Sequence, residues 1–350
     1  MKIKQILKDF FWLIDFGFKN LKLKTLTALG LKNSQVYRLL IKVNNSCNYR
    51  CISCGNWKNK RDTFIPKEKR RGVLKKYNNQ LYFLSLTGGE PFLQEKKLFN
   101  LVKEIKKRNP KLKYISANTN CSQPEQVEWF SRKLLTQFPD LNLHIGLHYI
   151  PNKRWGEKET GIESAYKNYK KTREVVERLE AEFAKKSLHG KGFTFYNIVT
   201  IHKPENFRAI NPEKDLWMGF AIINDQFYNN EGKNHIGKIT PEEKVEMIDK
   251  IIEMNKKNMT LLNKISIKNT KKILKNKIRK RRCYAGINRK YINPQGEIFA
   301  CSRGIKKRDD MSSETCSDCW TSCESNFDLV ADFFLPSILN RHEKDIQNHE

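Results

Sequence analysis

Cys47-Asn48-Tyr49-Arg50-Cys51-Ile52-Ser53-Cys54 follows directly on the apolar run Val36–Val43 and spaces three thiols three and then two residues apart. The run reads as a buried strand, so the cysteines fall on the loop at its carboxyl end. Three cysteines on one tight loop can converge on a single inorganic centre, and iron–sulfur clusters are held by thiolates in such short runs. Three ligands leave one iron of a four-iron cluster open, and catalytic metal sites in general keep one position free for substrate. A structural zinc site and a set of incidental buried cysteines are the competing readings. Zinc prefers four protein ligands, and no fourth Cys or His lies nearby in the sequence.

A second signal lies at the end of the apolar run Leu81–Leu86, where the chain continues Thr87-Gly88-Gly89-Glu90-Pro91. Glycines let a backbone approach a ligand closely, and a carboxylate beside an ammonium makes a charge-assisted hydrogen bond. Together the two stretches resemble the radical S-adenosylmethionine superfamily. The resemblance implies that Cys47, Cys51 and Cys54 hold a [4Fe–4S] cluster whose free iron chelates the amino and carboxylate groups of S-adenosylmethionine. It further implies that Gly88, Gly89 and Glu90 receive the methionine ammonium, and that reductive cleavage yields a 5′-deoxyadenosyl radical. Ser53 departs from the aromatic or apolar residue usual before the third cysteine.

From Val36 onward, strands alternate with helical stretches. Tyr114–Ala117, Leu141–Leu147, Phe193–Thr200 and a last strand near Trp217–Ile223 follow the two already named. Helices are expected over Leu93–Lys107, Glu125–Leu135, Ile162–Lys185 and, after the start signal Thr240-Pro241-Glu242-Glu243, over Thr240–Lys256. Such alternation implies a parallel sheet, with ligand sites at the strand carboxyl ends. The expected fold class is α/β, a partial (β/α)6 barrel of the TIM type over residues 36–235, followed by a helical basic linker over 236–282. Thr119-Asn120-Cys121 resembles a family Thr-Asn-Gly, which adds Thr119 and Asn120 to the cofactor-binding set and puts Cys121 in a glycine position. Gly146-Leu147-His148 stands where many relatives have Ser-Leu-Asp. His148 and Cys121 are therefore candidates for chemistry at the barrel mouth, although a wall histidine and a small buried hydrophobe are the plainer readings.

Residues 283–350 bring a second cysteine constellation: Cys283, Cys301, Cys316, Cys319 and Cys323, with Tyr291–Cys301 reading as a small hairpin turned at Pro-Gln-Gly. These residues resemble SPASM and twitch extensions of the same superfamily. Five thiols suffice for one auxiliary [4Fe–4S] cluster and are too few for two, so the twitch-like form is expected. A zinc knuckle is the alternative, because cysteine spacing alone does not separate zinc from iron–sulfur.

The chain has 350 residues, enough for one large and one smaller domain. Its nine cysteines argue for metal rather than a disulfide framework, which belongs mainly to small secreted domains. Lys and Arg number 67 against 38 acids, a formal net charge of +29. A basic excess fits an anionic partner, whether nucleic acid, membrane surface or phosphorylated substrate. Lys264–Arg282 carries ten basic residues and no acid, and reads either as a helix with a solvated basic face or as an anion grip. Residues 1–35 alternate apolar side chains at helical spacing with lysines. Phe10–Ile14 is too short to span a bilayer, and no small-residue cleavage site follows. The prelude reads either as a helix packed on the barrel or as an interfacial helix, giving peripheral membrane contact through residues 1–24.

The expected activity is radical abstraction of hydrogen from an organic substrate, an anionic cell-envelope or phosphorylated intermediate. The expected location is the cytoplasm, at the membrane periphery, with a flavodoxin- or ferredoxin-like reductant. Peptide or protein maturation is the first alternative. RNA modification is weaker, because Lys264–Arg282 has no aromatic for base stacking. A non-catalytic iron–sulfur or zinc protein belongs to a different class, and Glu90 beside two glycines argues against it.

Overall fold

The computed structural model describes residues 36–58, 64–183, 192–201, 218–222, 240–254 and 285–302, shorter pieces among 11–29, and residues 271, 304, 306 and 307. β1 (Arg38–Lys42), β2 (Phe83–Thr87), β3 (Tyr114–Thr119), β4 (Asn142–His148), β5 (Phe193–Ile201) and β6 (Met218–Ile222) lie side by side in chain order, all parallel. β7 (Arg289–Ile292) pairs parallel with the free side of β1, and β8 (Ile298–Phe299) closes an antiparallel hairpin onto β7. The sheet order is thus β6-β5-β4-β3-β2-β1-β7-β8, and among the described residues the two ends do not join. This is the expected open barrel, with one parallel strand more.

Period-two patterning divides the sheet into an apolar face and a polar one. Leu39, Leu84, Ile115, Leu143 and Phe193 form one row in register, and Ile41, Leu86, Ala117 and Ile145 form the next. All are buried, in one core with helix residues such as Leu98, Val102, Phe130, Leu134, Val176 and Leu179. The intervening row, Leu40, Ser85, Ser116, His144 and Thr194, is mostly polar. Arg38 Nη2 donates to Ser85 Oγ at 2.8 Å and Ser116 Oγ to Ser85 Oγ at 2.9 Å. This row lies on the face of the sheet opposite the two apolar rows.

The crossover helices are Lys67–Lys76, Glu95–Arg108, Pro124–Gln137 and Ala165–Glu182, with a shorter one at Lys153–Thr160. In Glu95–Arg108 the stripe Leu98, Leu101, Val102 and Ile105 is buried, and Lys106, Lys107 and Arg108 sit at the negative end of the helix dipole. Lys106 Nζ then donates to the carbonyls of Pro110 and Leu112 and to Asp140 Oδ2, at 2.8–3.0 Å, which ties the helix end to the loop before β4. The expected start at Thr240 is a capping box: Glu243 N donates to Thr240 Oγ1 and Thr240 N to Glu243 Oε2.

The prelude packs under the barrel. Phe16 and Leu23 are buried with Tyr37 and Tyr82, which precede β1 and β2. Tyr82 Oη donates to Asp15, Tyr37 Oη donates to the Lys19 carbonyl, and Lys111 pairs with Asp15 at 2.9 Å. Ile14, Phe18 and Leu21 of the same helical stretch are exposed, Phe18 by 67%. Among the described residues no helix is long and apolar enough to cross a membrane.

Candidate cluster and cofactor site

Both sequence signals arrive at neighbouring strand ends. β1 ends at Lys42 and runs through Asn44 into the cysteine loop, while β2, its in-register neighbour, ends at Thr87 and delivers Gly88–Pro91. The two turns are stitched together by main chain: Gly89 N donates to the Asn44 carbonyl at 3.0 Å, and Glu90 N to the Ser46 carbonyl at 2.8 Å. The glycines are needed here for close approach. A Cβ on Gly88 would stand 2.2 Å from Asn44 Oδ1, and one on Gly89 2.1 Å from the Ser46 carbonyl oxygen.

Cys47, Cys51 and Cys54 are each partly buried and free of disulfides. Burial pushes all three thiols up, Cys47 to about 12, and the nearby Cys47 and Cys54 add to the effect at Cys51. Cys54 N donates to the Cys51 carbonyl at 3.1 Å, and the amides of Arg50 and Ile52 donate to the carbonyls of Thr160 and Glu159, which anchors the loop at mid-length. Among the described residues no three His, Cys, Asp or Glu side chains close around a single ion. Three thiols on one loop are a donor set that suits a cluster, in which each thiolate takes its own iron. Lys42, at the foot of the loop, donates to Asn56 Oδ1 at 2.8 Å, and burial lowers its ammonium to about 8 against the opposing charge of Cys54.

Glu90 is fully buried, with a relative exposure of 0%. Its Oε1 accepts from Phe92 N and Thr119 Oγ1, each at 3.1 Å, and its Oε2 accepts from Asn120 N at 2.6 Å. Burial raises its carboxyl to about 7 and these three donors oppose the rise. Thr119 and Asn120 therefore meet Glu90, as expected of one site, but through protein hydrogen bonds. Asn120 Nδ2 reaches Cys47 Sγ at 3.5 Å and Asn48 Oδ1 at 3.1 Å, which brings the third strand end onto the cysteine loop.

Cys121 is buried in a left-handed backbone conformation, φ 69°, as a position usually occupied by glycine requires. Its Sγ lies 3.8 Å from the His148 carbonyl, and burial holds its thiol well above the ordinary range. His148 is half-buried at the end of β4, its ring edge-on to Trp155 with centroids 6.4 Å apart. Cys301 is buried just past β8, near Arg38 and Tyr291. Cys283, Cys316, Cys319 and Cys323 lie outside the described residues, as do positions 264–270 and 272–282 of the basic stretch. Asn44, which carries much of the stitching, escaped the sequence reading. Its one signal was its place between a strand and the first cysteine.

Residues 37–138 match the family of 4Fe-4S single cluster domains. Over 276 residues the chain is 25% identical to the uncharacterized protein MJ0907 of Methanocaldococcus jannaschii, covering 75% of this chain and 84% of that protein. Its fold is similar to that of Streptococcus suis SuiB in a crystal structure with the precursor peptide SuiA, with a TM-score of 0.51 and 13% identity over 90% of this chain and 68% of SuiB. The fold is an open parallel α/β barrel, and its first strands carry the stretch similar to 4Fe-4S single cluster domains. The cysteine loop and the Gly-Gly-Glu strand end both fall within the residues that match the cluster-domain family.

Proposed function

We propose that the chain cleaves S-adenosylmethionine reductively and abstracts hydrogen from an organic substrate that carries negative charge, an anionic cell-envelope or phosphorylated intermediate. The observation that carries the reading is the joining of three adjacent strand ends, Gly89 N to the Asn44 carbonyl just before the cysteine loop and Asn120 Nδ2 to Cys47 Sγ within it. In this reading Cys47, Cys51 and Cys54 hold the cluster and the Gly88–Gly89 backbone receives the methionine end of the cofactor. When bound together, cluster and cofactor supply a 5′-deoxyadenosyl radical. The polar row Ser85, Ser116, His144 and Thr194 with Arg38 lines the wall along which a polar substrate would lie. The positive charge of the chain favours an anionic one. An auxiliary [4Fe–4S] cluster held by four of Cys283, Cys301, Cys316, Cys319 and Cys323 completes the proposal.

Peripheral docking on an anionic membrane belongs to the same reading. Ile14, Phe18 and Leu21 face outward from a lysine-rich helix whose other face is already packed under the barrel. Peptide maturation is the second reading, favoured by the similarity of fold to SuiB, which was crystallised with a precursor peptide. Anaerobically reconstituted protein with a strong reductant should convert S-adenosylmethionine to methionine and 5′-deoxyadenosine, measured by chromatography. No cleavage in protein that has taken up iron and sulfide would overturn the proposal.

A further inference from the structure

Glu90 stands where an ammonium contact is expected, yet its carboxylate has no exposed surface and already accepts from Phe92 N, Thr119 Oγ1 and Asn120 N. The shortest of these bonds holds the main chain of Asn120. The Asn120 side chain is fixed in turn from both ends. Its Oδ1 accepts from Ser122 N at 2.9 Å, so its Nδ2 must be the atom turned toward Cys47 Sγ and Asn48 Oδ1. Ser122 Oγ also donates to Asn48 Oδ1, at 3.0 Å. A continuous chain of hydrogen bonds thus runs from Glu90, through the backbone and side chain of Asn120, to the sulfur of the first cysteine.

We propose that Glu90 is a positioning residue: it locks the end of β3 so that the Asn120 amide donates to Cys47 Sγ and thereby sets the reduction potential of the cluster bound by this loop. The inference rests on the proposed cluster at Cys47, Cys51 and Cys54. Hydrogen bonds to cluster sulfurs are among the factors that set such potentials, and residues behind the ligands orient them and tune the metal. An N–H donor to a thiolate sulfur stabilises the more negative, reduced cluster and raises its potential. In Glu90→Gln an amide NH2 can replace the oxygen that faces Asn120 N, putting donor against donor at 2.6 Å and releasing the lock.

The test uses the full chain, reconstituted anaerobically, with Glu90→Gln, Asn120→Ala and the double variant. Iron and sulfide content comes first, because wild-type protein without a cluster would refute the cluster reading itself. With clusters present, a redox titration followed by electron paramagnetic resonance should show a lower midpoint potential in both single variants and no further shift in the double, as for residues acting through one another. In metal-free protein the amide of Asn120 should exchange slowly in wild type and faster by at least tenfold in Glu90→Gln. If Glu90→Gln does not fold, Asn120→Ala still carries the test through its potential. An unchanged potential in Asn120→Ala, or one in Glu90→Gln that loses only affinity for S-adenosylmethionine, would overturn the proposal. The latter result would return Glu90 to direct contact with the cofactor.

Discussion

Asn44 and Gly89 are joined twice: the Gly89 amide lies 3.0 Å from the Asn44 main-chain oxygen and 3.1 Å from its side-chain oxygen. The Asn44 Nδ2 meanwhile donates to the Glu90 carbonyl at 3.1 Å, so one fully buried side chain holds the turn after β2 against the start of the cysteine loop. Asn44→Ala should therefore destabilise the protein by about 1–3 kcal/mol, the range for leaving buried polar groups unsatisfied. Chemical denaturation of metal-free protein measures it, and a loss below about 0.5 kcal/mol would show that the clamp is dispensable.

Gly89→Ala meets a harder obstacle, because the added methyl would overlap the Ser46 main-chain oxygen at 2.1 Å. Neither backbone can yield without moving a strand end, so iron uptake should fall several-fold. Gly72→Ala is the control: nothing lies within 4 Å of its Cβ position, and the helix Lys67–Lys76 should gain about 0.5–1 kcal/mol. Equal iron content in both variants would remove the close-approach argument.

Cys121 shows what a left-handed backbone asks of a side chain. Cys121→Gly relieves strain and loses buried contacts, so its net effect should stay within about 1 kcal/mol. Cys121→Val adds a β-branched side chain at φ 69° and should destabilise by about 3 kcal/mol or more, from strain plus overpacking. In the native protein its thiol should resist alkylation, since burial raises its pKa and denies access. Stoichiometric labelling of Cys121 without unfolding would contradict this.

Two groups make stability depend on pH in the acid range. Burial lowers His144 to about 4, so between roughly pH 6.5 and 4 the unfolded chain binds a proton that the folded chain refuses, and stability falls as the pH drops. Asp15 acts lower on the scale. Its burial is outweighed by hydrogen bonds from Tyr82, Lys111 and Lys19, which hold its carboxyl below the usual value. Its contribution is present above about pH 4 and is lost as the pH falls through the folded value. Asp15→Asn should cost about 0.5–1 kcal/mol at pH 7, modest because the group is 36% exposed, and less at pH 2. Denaturation curves at the two pH values decide it.

The strand ends were legible because each is a short contiguous signature: thiols at fixed spacing, two glycines before a carboxylate, a strand pattern upstream. The helix Lys67–Lys76 was not, since only Val73 and Leu74 are buried on an otherwise charged stretch that gives no stripe to read. Lys153–Thr160 had signals that went unused, the Asn152 cap and the left-handed Gly161 at its end. What Glu90 touches could not be read at all. Its partners lie up to 30 positions away, and the same carboxylate could serve ligand or protein equally well. The prelude was ambiguous for a related reason: its apolar residues point in two directions, and only tertiary contacts separate Phe16 from Phe18.

β7 joins β1 across about 250 positions of chain, pairing Arg38 with Arg289 and Ile41 with Ile292. Until the ribosome has released residues beyond Ile292, the strand that feeds the cysteine loop has one edge with unsatisfied amides and carbonyls. Contacts so distant in sequence form late and slowly, and an open edge invites pairing with other chains. The barrel can therefore be translated almost entirely before its first strand is enclosed. Enclosure of the strand that feeds the cysteine loop therefore requires the chain as far as Ile292, well beyond the six strands that carry the barrel.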